Sequence, residues 1–165
     1  MPRRDGGGEA GTMNILILED DANRIGTFKR KLAHHDLTIV ETAQDAIGQL
    51  ATKCFDVIFL DHDLGGEQMV STVGANTGSE VVRWMCANIE VACHVIIHSL
   101  NTPAAIDMHA KLTIIGMACQ RIPFTNLITL LDDPSFIMPY EPIIDECPMC
   151  GAMDDVNEHI CSDGI

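Results

Sequence analysis

The fold of this chain is decided by residues 56–66, which read Asp-Val-Ile-Phe-Leu-Asp-His-Asp-Leu-Gly-Gly. The central apolar run predicts a short strand that is buried on both faces, as strands of parallel sheets are. This strand ends abruptly in an acid, an imidazole and a second acid, followed by two glycines. Polar residues directly after such a strand lie at the sheet edge where ligands bind. We therefore predict a functional site at Asp61, His62 and Asp63.

A second apolar strand, at residues 14–18, ends in the same way, with Glu19, Asp20 and Asp21. Two buried strands thus deliver at least four carboxylates to one edge of the predicted sheet. Carboxylates crowded together repel one another, and oxygen ligands of this kind suit a hard cation. The two strand ends together predict a cation site.

The rest of the chain alternates between strand and helix patterns. Apolar residues recur at helical spacing after the first strand and again over residues 43–50, where Thr42 and Asp45 have the spacing of a capping box. Further strands are predicted near residues 37–40, 94–97 and 117–122, and further helices from about Ser79, from the Thr102-Pro103 cap to about Ile114, and over residues 125–131. Short connections with right-handed crossovers predict an α/β fold, a doubly wound five-stranded parallel sheet with the flavodoxin-like order 2-1-3-4-5.

The length of 165 residues, of which 47% are hydrophobic, allows one ordinary core and an appendage. The predicted organisation is a disordered N-terminus over residues 1–12, the α/β domain over 13–132, a proline-containing linker over 133–146 and a tail over 147–165. No apolar run approaches the roughly 20 residues of a membrane span. We therefore expect no membrane association.

The seven cysteines are an odd number, and four of them, Cys54, Cys86, Cys93 and Cys119, fall within apolar strand or helix patterns. A reduced thiol in such a pattern behaves as a small hydrophobic side chain. The first residues also lack the apolar stretch of a secretory signal. These features predict a reducing compartment and a cytoplasmic location.

The net charge of −14 is unevenly distributed, because no Lys or Arg follows Arg121. An acidic tail repels a phosphate backbone, so we expect a small ligand or an RNA end and no long duplex nucleic acid. The tail is also a candidate surface for a protein partner. Four basic residues on the first predicted helix are expected to form a solvated surface: Arg24, Lys29, Arg30 and Lys31.

The C-terminal tail carries a Cys-x-x-Cys-Gly motif and a His-x-Cys pair eight residues later. Its four candidate zinc ligands are Cys147, Cys150, His159 and Cys161. A tail this short has no core of its own, so a structural Zn²⁺ is predicted to order it. The alternative is a reducible cysteine tail or a redox pair without metal.

The chain resembles the receiver domain of two-component response regulators over about residues 13–132. The positions that carry the resemblance are the acid pair Glu19 and Asp20, the central Asp61, Ser99 after the fourth strand and Pro123 after the fifth. In that family the acids hold magnesium, the central aspartate accepts a phosphoryl group and a lysine before the proline contacts the phosphate. Here Ile122 replaces the lysine and Arg121 precedes it, which argues against ordinary phosphorelay signalling.

Three segments narrow the resemblance, namely Leu-Asp-His-Asp-Leu-Gly at 60–65, Ile-His-Ser-Leu-Asn at 97–101 and Arg-Ile-Pro-Phe at 121–124. They are similar to the cyclic-phosphate-processing receiver domains, a group proposed to handle cyclic phosphates in RNA repair or nucleotide signalling. The resemblance implies Mg²⁺ or Mn²⁺ as cofactor and a phosphoesterase acting on a cyclic phosphate of a small nucleotide or of an RNA end.

Opening a cyclic phosphodiester requires an activated water, a proton for the leaving alkoxide and positive charge near the phosphate. The expected catalytic residues are Asp61, His62 and His98, with the two histidines as base and acid. The expected magnesium ligands are Glu19, Asp20, Asp61 and Asp63, and the expected phosphate-binding residues are Ser99, Asn101 and Arg121. Structural roles remain open for His98, as a core histidine, and for Asp63, as a turn cap. The alternative function is a binding module without turnover that senses a phosphate or docks on a protein.

Overall fold

The structure of the chain, a computed structural model, describes residues 11–66, 69–88, 93–133 and 135–136. Within these residues there are five strands: β1 (Asn14–Leu18), β2 (Asp36–Val40), β3 (Val57–Leu60), β4 (His94–Ile97) and β5 (Cys119–Arg121). They form one sheet in the order β2-β1-β3-β4-β5, and every pair of neighbours is parallel. The predicted fold class is confirmed.

In the described part of the chain, five helices cover the two faces of this sheet. They are α1 (Ala22–Lys31), α2 (Ala43–Leu50), α3 (Gly78–Ala87), α4 (Thr102–Ile114) and α5 (Phe124–Leu130). Successive strand residues point to opposite faces, so Leu16 and Ile58 pack in the cluster with α2, α3 and α4. Ile17 and Phe59 pack in the second cluster, with Phe28 and Leu127. The central strands β1, β3 and β4 are therefore buried on both sides, and polar groups follow at their carboxyl ends.

The helix starts follow from local side-chain capping. Thr42 caps α2 by accepting a hydrogen bond from the Asp45 amide, as the capping-box spacing predicts. The prediction that Thr102 caps α4 is wrong, because the N-cap is Asn101, whose side chain accepts from the Ala104 amide at 3.3 Å. Asparagine is one of the strongest N-cap residues, and here its amide group is also bonded to the preceding loop.

Gly78 fixes the start of α3 against the end of β3. A Cβ atom at this position would lie 2.2 Å from the carbonyl oxygen of Asp61. The Gly78 amide donates to the carbonyl oxygen of His62 at 3.1 Å. Only glycine permits this approach of two backbones, so the sequence at residue 78 positions the helix directly beneath the predicted site.

Among the helices that the structure describes, none has both the length and the apolar character needed to cross a bilayer. The four candidate zinc ligands, Cys147, Cys150, His159 and Cys161, lie outside the described residues. The same holds for the linker beyond residue 136, so the predicted domain boundaries there stay predictions.

Candidate functional site

The sheet register brings together three side chains that directly follow β1, β3 and β4. Leu18 pairs with Leu60, and Leu60 pairs with Ile97, so Glu19, Asp61 and His98 are neighbours at one edge. A ligand atom from each of these three residues lies within 4.8 Å of the other two. All three residues are almost fully buried, so their charges and polar atoms need partners inside the protein.

Glu19 is the most completely bonded residue of this group. Its Oε1 atom accepts hydrogen bonds from the backbone amides of Asp20 and Asp21, both at 2.9 Å. Its Oε2 atom lies 3.1 Å from Nε2 of His98, and its Oε1 atom lies 3.1 Å from Nη2 of Arg24. Glu19 is therefore a fixed carboxylate behind the strand ends.

Arg24, in the first turn of α1, joins the two buried carboxylates of Glu19 and Asp61. Its Nη2 atom contacts Glu19, and its Nη1 atom lies 3.0 Å from Oδ2 of Asp61. The guanidinium carbon lies 5.7 Å from the ring centre of Phe124, which is cation–π geometry. The expectation that Arg24 belongs to a solvated basic surface is wrong. The cap at Asp21 starts the helix at the acidic edge, so its third residue faces the carboxylates.

His98 lies in an aromatic environment on the side of the sheet covered by α1 and α5. Its ring centre is 5.3 Å from that of Phe28, 6.1 Å from that of Phe124 and 6.4 Å from that of Phe59. The Nδ1 atom has no hydrogen-bond partner among the described residues. Since a carboxylate only accepts, the Nε2–H of His98 donates to Glu19. In this structure the ring positions Glu19.

His62 is also fully buried, and both of its ring nitrogens have partners. The Nε2 atom lies 3.0 Å from the carbonyl oxygen of Val70, and the Nδ1 atom lies 3.1 Å from the hydroxyl of Ser79. The imidazole thus connects the segment after β3 to the first turn of α3. This arrangement fixes the position of Val70 relative to α3.

Asp63 and Asn101 hold the segment around Val70. The Asp63 carboxylate accepts from the amides of Met69 at 2.9 Å and Val70 at 3.0 Å, and from the side-chain amide of Asn101 at 3.0 Å. The Asn101 amide also donates to the Val70 carbonyl oxygen at 3.1 Å. On the opposite side, the Gly66 amide donates to Oδ2 of Asp20 at 2.8 Å, and Gly66 has a positive φ that favours glycine.

These contacts leave a cavity of about 370 Å³ at the carboxyl edge of the sheet. Its polar wall contains Asp20, Asp21, Arg24, Asp61, Asp63 and Asn101. Four carboxylates thus face one guanidinium. The Arg24 and Asn23 backbone amides hold the pKa of the Asp21 carboxyl below its usual value, which keeps this carboxylate ionised. The cavity is therefore strongly acidic, with one built-in cation.

The structure brings some of the predicted site residues to this cavity and holds others apart. Ser99 is buried and is not among the lining residues, and its hydroxyl accepts a hydrogen bond from the backbone amide of Asn101 at 3.2 Å. Arg121 is exposed at the end of β5 and is not among the described residues that line the cavity. The rings of His62 and His98 do not line it either. Arg24 is the residue that sequence reasoning missed. One feature of the sequence could have indicated this role: Arg24 lies in the first turn of the helix that directly follows the three acids.

The donor chemistry of the cavity fits a divalent cation. A guanidinium already lies between Glu19 and Asp61, so this position stabilises positive charge. Asp20 and Asp61 both face the cavity and offer oxygen ligands, which Mg²⁺ and Mn²⁺ prefer. Asp63 is committed to the loop amides. We therefore assign Asp20 and Asp61 as the residues that would hold the ion, with Glu19 behind them.

A doubly wound sheet with an acidic pocket after β1 and β3 defines this chain as a receiver-type α/β domain. The family model described as cyclic-phosphate processing receiver domain matches residues 15–113, and the chain belongs to that family. None of the curated proteins matches the chain.

Solved receiver domains share the fold. The non-phosphorylated HemR receiver domain from Leptospira biflexa is 19% identical, with a TM-score of 0.54 over 78% of this chain and 97% of that one. A CheY-like response regulator receiver domain from Methylobacillus flagellatus is 18% identical, with a TM-score of 0.52 over 75% and 99%. The Mn²⁺-bound form of response regulator Rcp1 is 17% identical, with a TM-score of 0.51 over 73% and 89%.

Proposed function

We propose that this domain binds a cyclic phosphate together with a divalent cation in the 370 Å³ cavity and opens the phosphate ring by hydrolysis. The observation that carries the proposal is the ion pair between Asp61 and the guanidinium of Arg24 at the cavity wall. Family membership supports the substrate class, a cyclic phosphate of a small nucleotide or of an RNA end.

The charge of the cavity accounts for the cation requirement. Four carboxylates against one guanidinium repel a phosphodiester anion, and the repulsion is strong where the walls exclude water. A divalent ion on Asp20 and Asp61 reverses that balance locally. The Mn²⁺-bound form of Rcp1, which has the same fold, supports testing Mn²⁺ beside Mg²⁺.

The reaction adds water to phosphorus and breaks one ring P–O bond, and the proton lost by water goes to the leaving alkoxide. A bound divalent ion supplies charge neutralisation and a more acidic water. Arg24 donates to non-bridging phosphate oxygens. Asp20, whose carboxylate borders the cavity beside Gly66, accepts the proton from water and passes it to the leaving alkoxide.

The two histidines act in this proposal through other residues. His98 holds the Glu19 carboxylate, and His62 holds Val70 and Ser79. Asp63 and Asn101 hold Met69 and Val70 through their backbone groups, and Met69 lines the cavity. A direct acid–base role for either ring requires a different position from the one in this structure.

Phosphorus NMR tests the proposal. Purified protein, in buffer with Mg²⁺ or in buffer without any divalent cation, is given 2′,3′-cyclic nucleotides, 3′,5′-cyclic nucleotides and acetyl phosphate. The variants Asp61→Asn and Asp107→Asn are treated in the same way. The expected result is loss of one cyclic resonance with wild type and Asp107→Asn, only with Mg²⁺, and not with Asp61→Asn. Asp107 is a suitable control because it pairs with Lys111 on the surface of α4. Consumption of acetyl phosphate alone would instead assign phosphorelay chemistry.

A second candidate is a module that binds a cyclic phosphate or nucleotide without turnover. The burial of both histidine rings away from the cavity favours it, because the site then lacks an imidazole as general acid. Saturable binding of an unchanged cyclic nucleotide in the same NMR experiment would identify this function.

Three further proposals concern regions or properties beyond the described site. The tail over 147–165 holds a structural Zn²⁺ through Cys147, Cys150, His159 and Cys161, and its acidity offers a surface to a protein partner. The domain works in the cytoplasm. Metal analysis of purified protein, with one equivalent of zinc expected, tests the first of these.

A further inference from the structure

We infer that Arg24 and the divalent cation occupy alternative positions on Asp61, so that cation binding releases the guanidinium to the phosphate. Arg24 would thus hold the two carboxylates in place without metal and serve as the anion clamp with it. The anion half of this inference rests on the proposed function, and the cation half does not.

The two oxygens of Asp61 have different partners. Its Oδ1 atom accepts from the His62 amide at 2.6 Å and lies 3.3 Å from the Asp63 amide. Its Oδ2 atom is the one that contacts Nη1 of Arg24, at 3.0 Å. The backbone contacts fix Oδ1, so Oδ2 is the oxygen available to an ion. A cation on Oδ2 competes with Nη1 for that oxygen and repels the guanidinium.

The rest of the Arg24 side chain has contacts that survive displacement of Nη1. Nη2 remains against Oε1 of the buried Glu19, and the guanidinium remains beside the ring of Phe124. The group can therefore turn about the Glu19 contact without leaving the site. The released Nη1 then donates into the cavity, where a phosphate oxygen is a charge-assisted partner.

Charge supports the same exchange. Among the described residues that line the cavity, Arg24 is the one cationic side chain. With a divalent ion on Asp61, the guanidinium loses one carboxylate partner and is repelled by the ion. An anion between the two cations restores both interactions, so the cation and the anion are expected to bind cooperatively.

The first test measures Mn²⁺ binding in the absence of phosphate, with the EPR signal of free Mn²⁺ as the readout. The proteins compared are wild type, Arg24→Gln, Arg24→Lys and Arg30→Gln. Arg30 is the matched control because it is exposed on the same helix and bonds to Thr27. Removing the competing group is expected to tighten binding about tenfold in Arg24→Gln, since a charge-assisted contact contributes about that factor. Arg30→Gln is expected to match wild type.

Arg24→Lys separates direct competition from a general field effect. Lysine keeps the charge but lacks the planar fork that reaches two carboxylates at once. Direct competition predicts Mn²⁺ binding several-fold tighter than wild type in Arg24→Lys as well. A dissociation constant equal to that of wild type in this variant would overturn the inference, as would unchanged or weaker binding in Arg24→Gln.

The second test is binding of inorganic phosphate in the presence of saturating Mg²⁺, measured by calorimetry. The inference predicts opposite effects of Arg24→Gln on the two ligands, tighter for the cation and about tenfold weaker for phosphate. Unchanged phosphate affinity would overturn the anion half. Neither test uses turnover, so absence of hydrolysis in the NMR assay would refute the proposed function and leave the exchange intact.

Discussion

The Nε2 atom of His98 lies 3.1 Å from Oε2 of Glu19, and both side chains are fully buried. This contact supplies the donor that a desolvated carboxylate requires. It also places the imidazole behind the acids, among the aromatic rings of Phe28, Phe59 and Phe124. The contact explains why a histidine directly after an apolar strand is compatible with a site of carboxylates.

Replacing His98 tests whether it positions Glu19 or transfers a proton. His98→Leu removes the donor and is expected to lower the free energy of unfolding by about 1–3 kcal/mol, because the Glu19 oxygen loses a buried partner. His98→Gln keeps an amide donor and is expected to retain most of the stability and turnover. Urea unfolding and the phosphorus NMR assay measure both effects. A folded His98→Gln protein without turnover would instead assign the ring as an acid or base.

Gly78→Ala tests the close approach of α3 to the end of β3. The added Cβ would lie 2.2 Å from the Asp61 carbonyl oxygen, so the helix or the strand end must move. We expect a loss of about 2 kcal/mol or more in unfolding free energy and reduced cation affinity. The matched control is Gly48→Ala in α2, where an added Cβ would meet no described atom beyond its own helix backbone and chain neighbours within 4 Å. Up to about 1 kcal/mol of stabilisation is expected there. Equal stability of the two variants would contradict this account.

Asp63→Ala tests whether this carboxylate closes the loop. The Met69 and Val70 amides lose their acceptor, and Asn101 loses one bond. Hydrogen exchange at these two amides is expected to accelerate roughly tenfold or more, since a hydrogen bond to a charged group contributes about 1.5–3 kcal/mol. Unchanged exchange would show that the loop is held by other contacts.

The cavity rim predicts a preference for nucleosides over bare cyclic phosphates. Met69 and Leu100 both line the cavity and are 67% and 65% exposed, and exposed apolar side chains at a pocket mark a contact surface for a ligand. Leu100→Ser is expected to raise the KM for a nucleoside cyclic phosphate about fivefold, with Mn²⁺ affinity unchanged. Ile114→Ser is the control, because Ile114 is 83% exposed at the far end of α4. Equal effects of both variants would refute a base contact.

Two half-buried thiols, Cys93 and Cys119, predict a pH limit on stability. Burial raises the pKa of Cys93 and of Cys119 to about 12, from 9.0. As the pH rises, the unfolded chain loses these protons first, so their contribution to stability is full below pH 9 and is lost between pH 9 and about 12. At neutral pH, mass spectrometry after thiol labelling is expected to find the exposed Cys54 modified well before Cys93 and Cys119. Early labelling of Cys93 would contradict its burial.

The fold was predictable because its signals are local and repeated. The apolar run before Asp61 and its counterpart before Glu19 each indicate a buried strand, and the parallel sheet follows from the helices between them. The cap at Thr42 could be predicted for the same reason, because its capping-box spacing is a local signal. The cap at Asn101 was missed because Thr102-Pro103 carries a competing signal of similar strength.

The site was only partly predictable, because side-chain direction depends on tertiary contacts. The edge that carries Glu19, Asp20 and Asp61 follows from strand ends alone. Whether His62 faces the cavity depends on Ser79 and Val70, which are distant in sequence. Arg24 looked like one of four helix-surface cations, and only the turn after Asp21 directs it to the acids.

The central claim is that a divalent cation and a cyclic phosphate share the cavity at the carboxyl edge of the sheet. The most direct measurement is a titration of backbone amide NMR signals, first with Mg²⁺ and then with a 2′,3′-cyclic nucleotide. Mg²⁺ is expected to shift the amide signals of Asp20, Asp61 and Gly66. The nucleotide is expected to shift these signals and that of Leu100 only when Mg²⁺ is present. Shifts confined to the opposite edge, around Lys53 and Phe55, or nucleotide shifts that do not depend on Mg²⁺ would contradict the central claim.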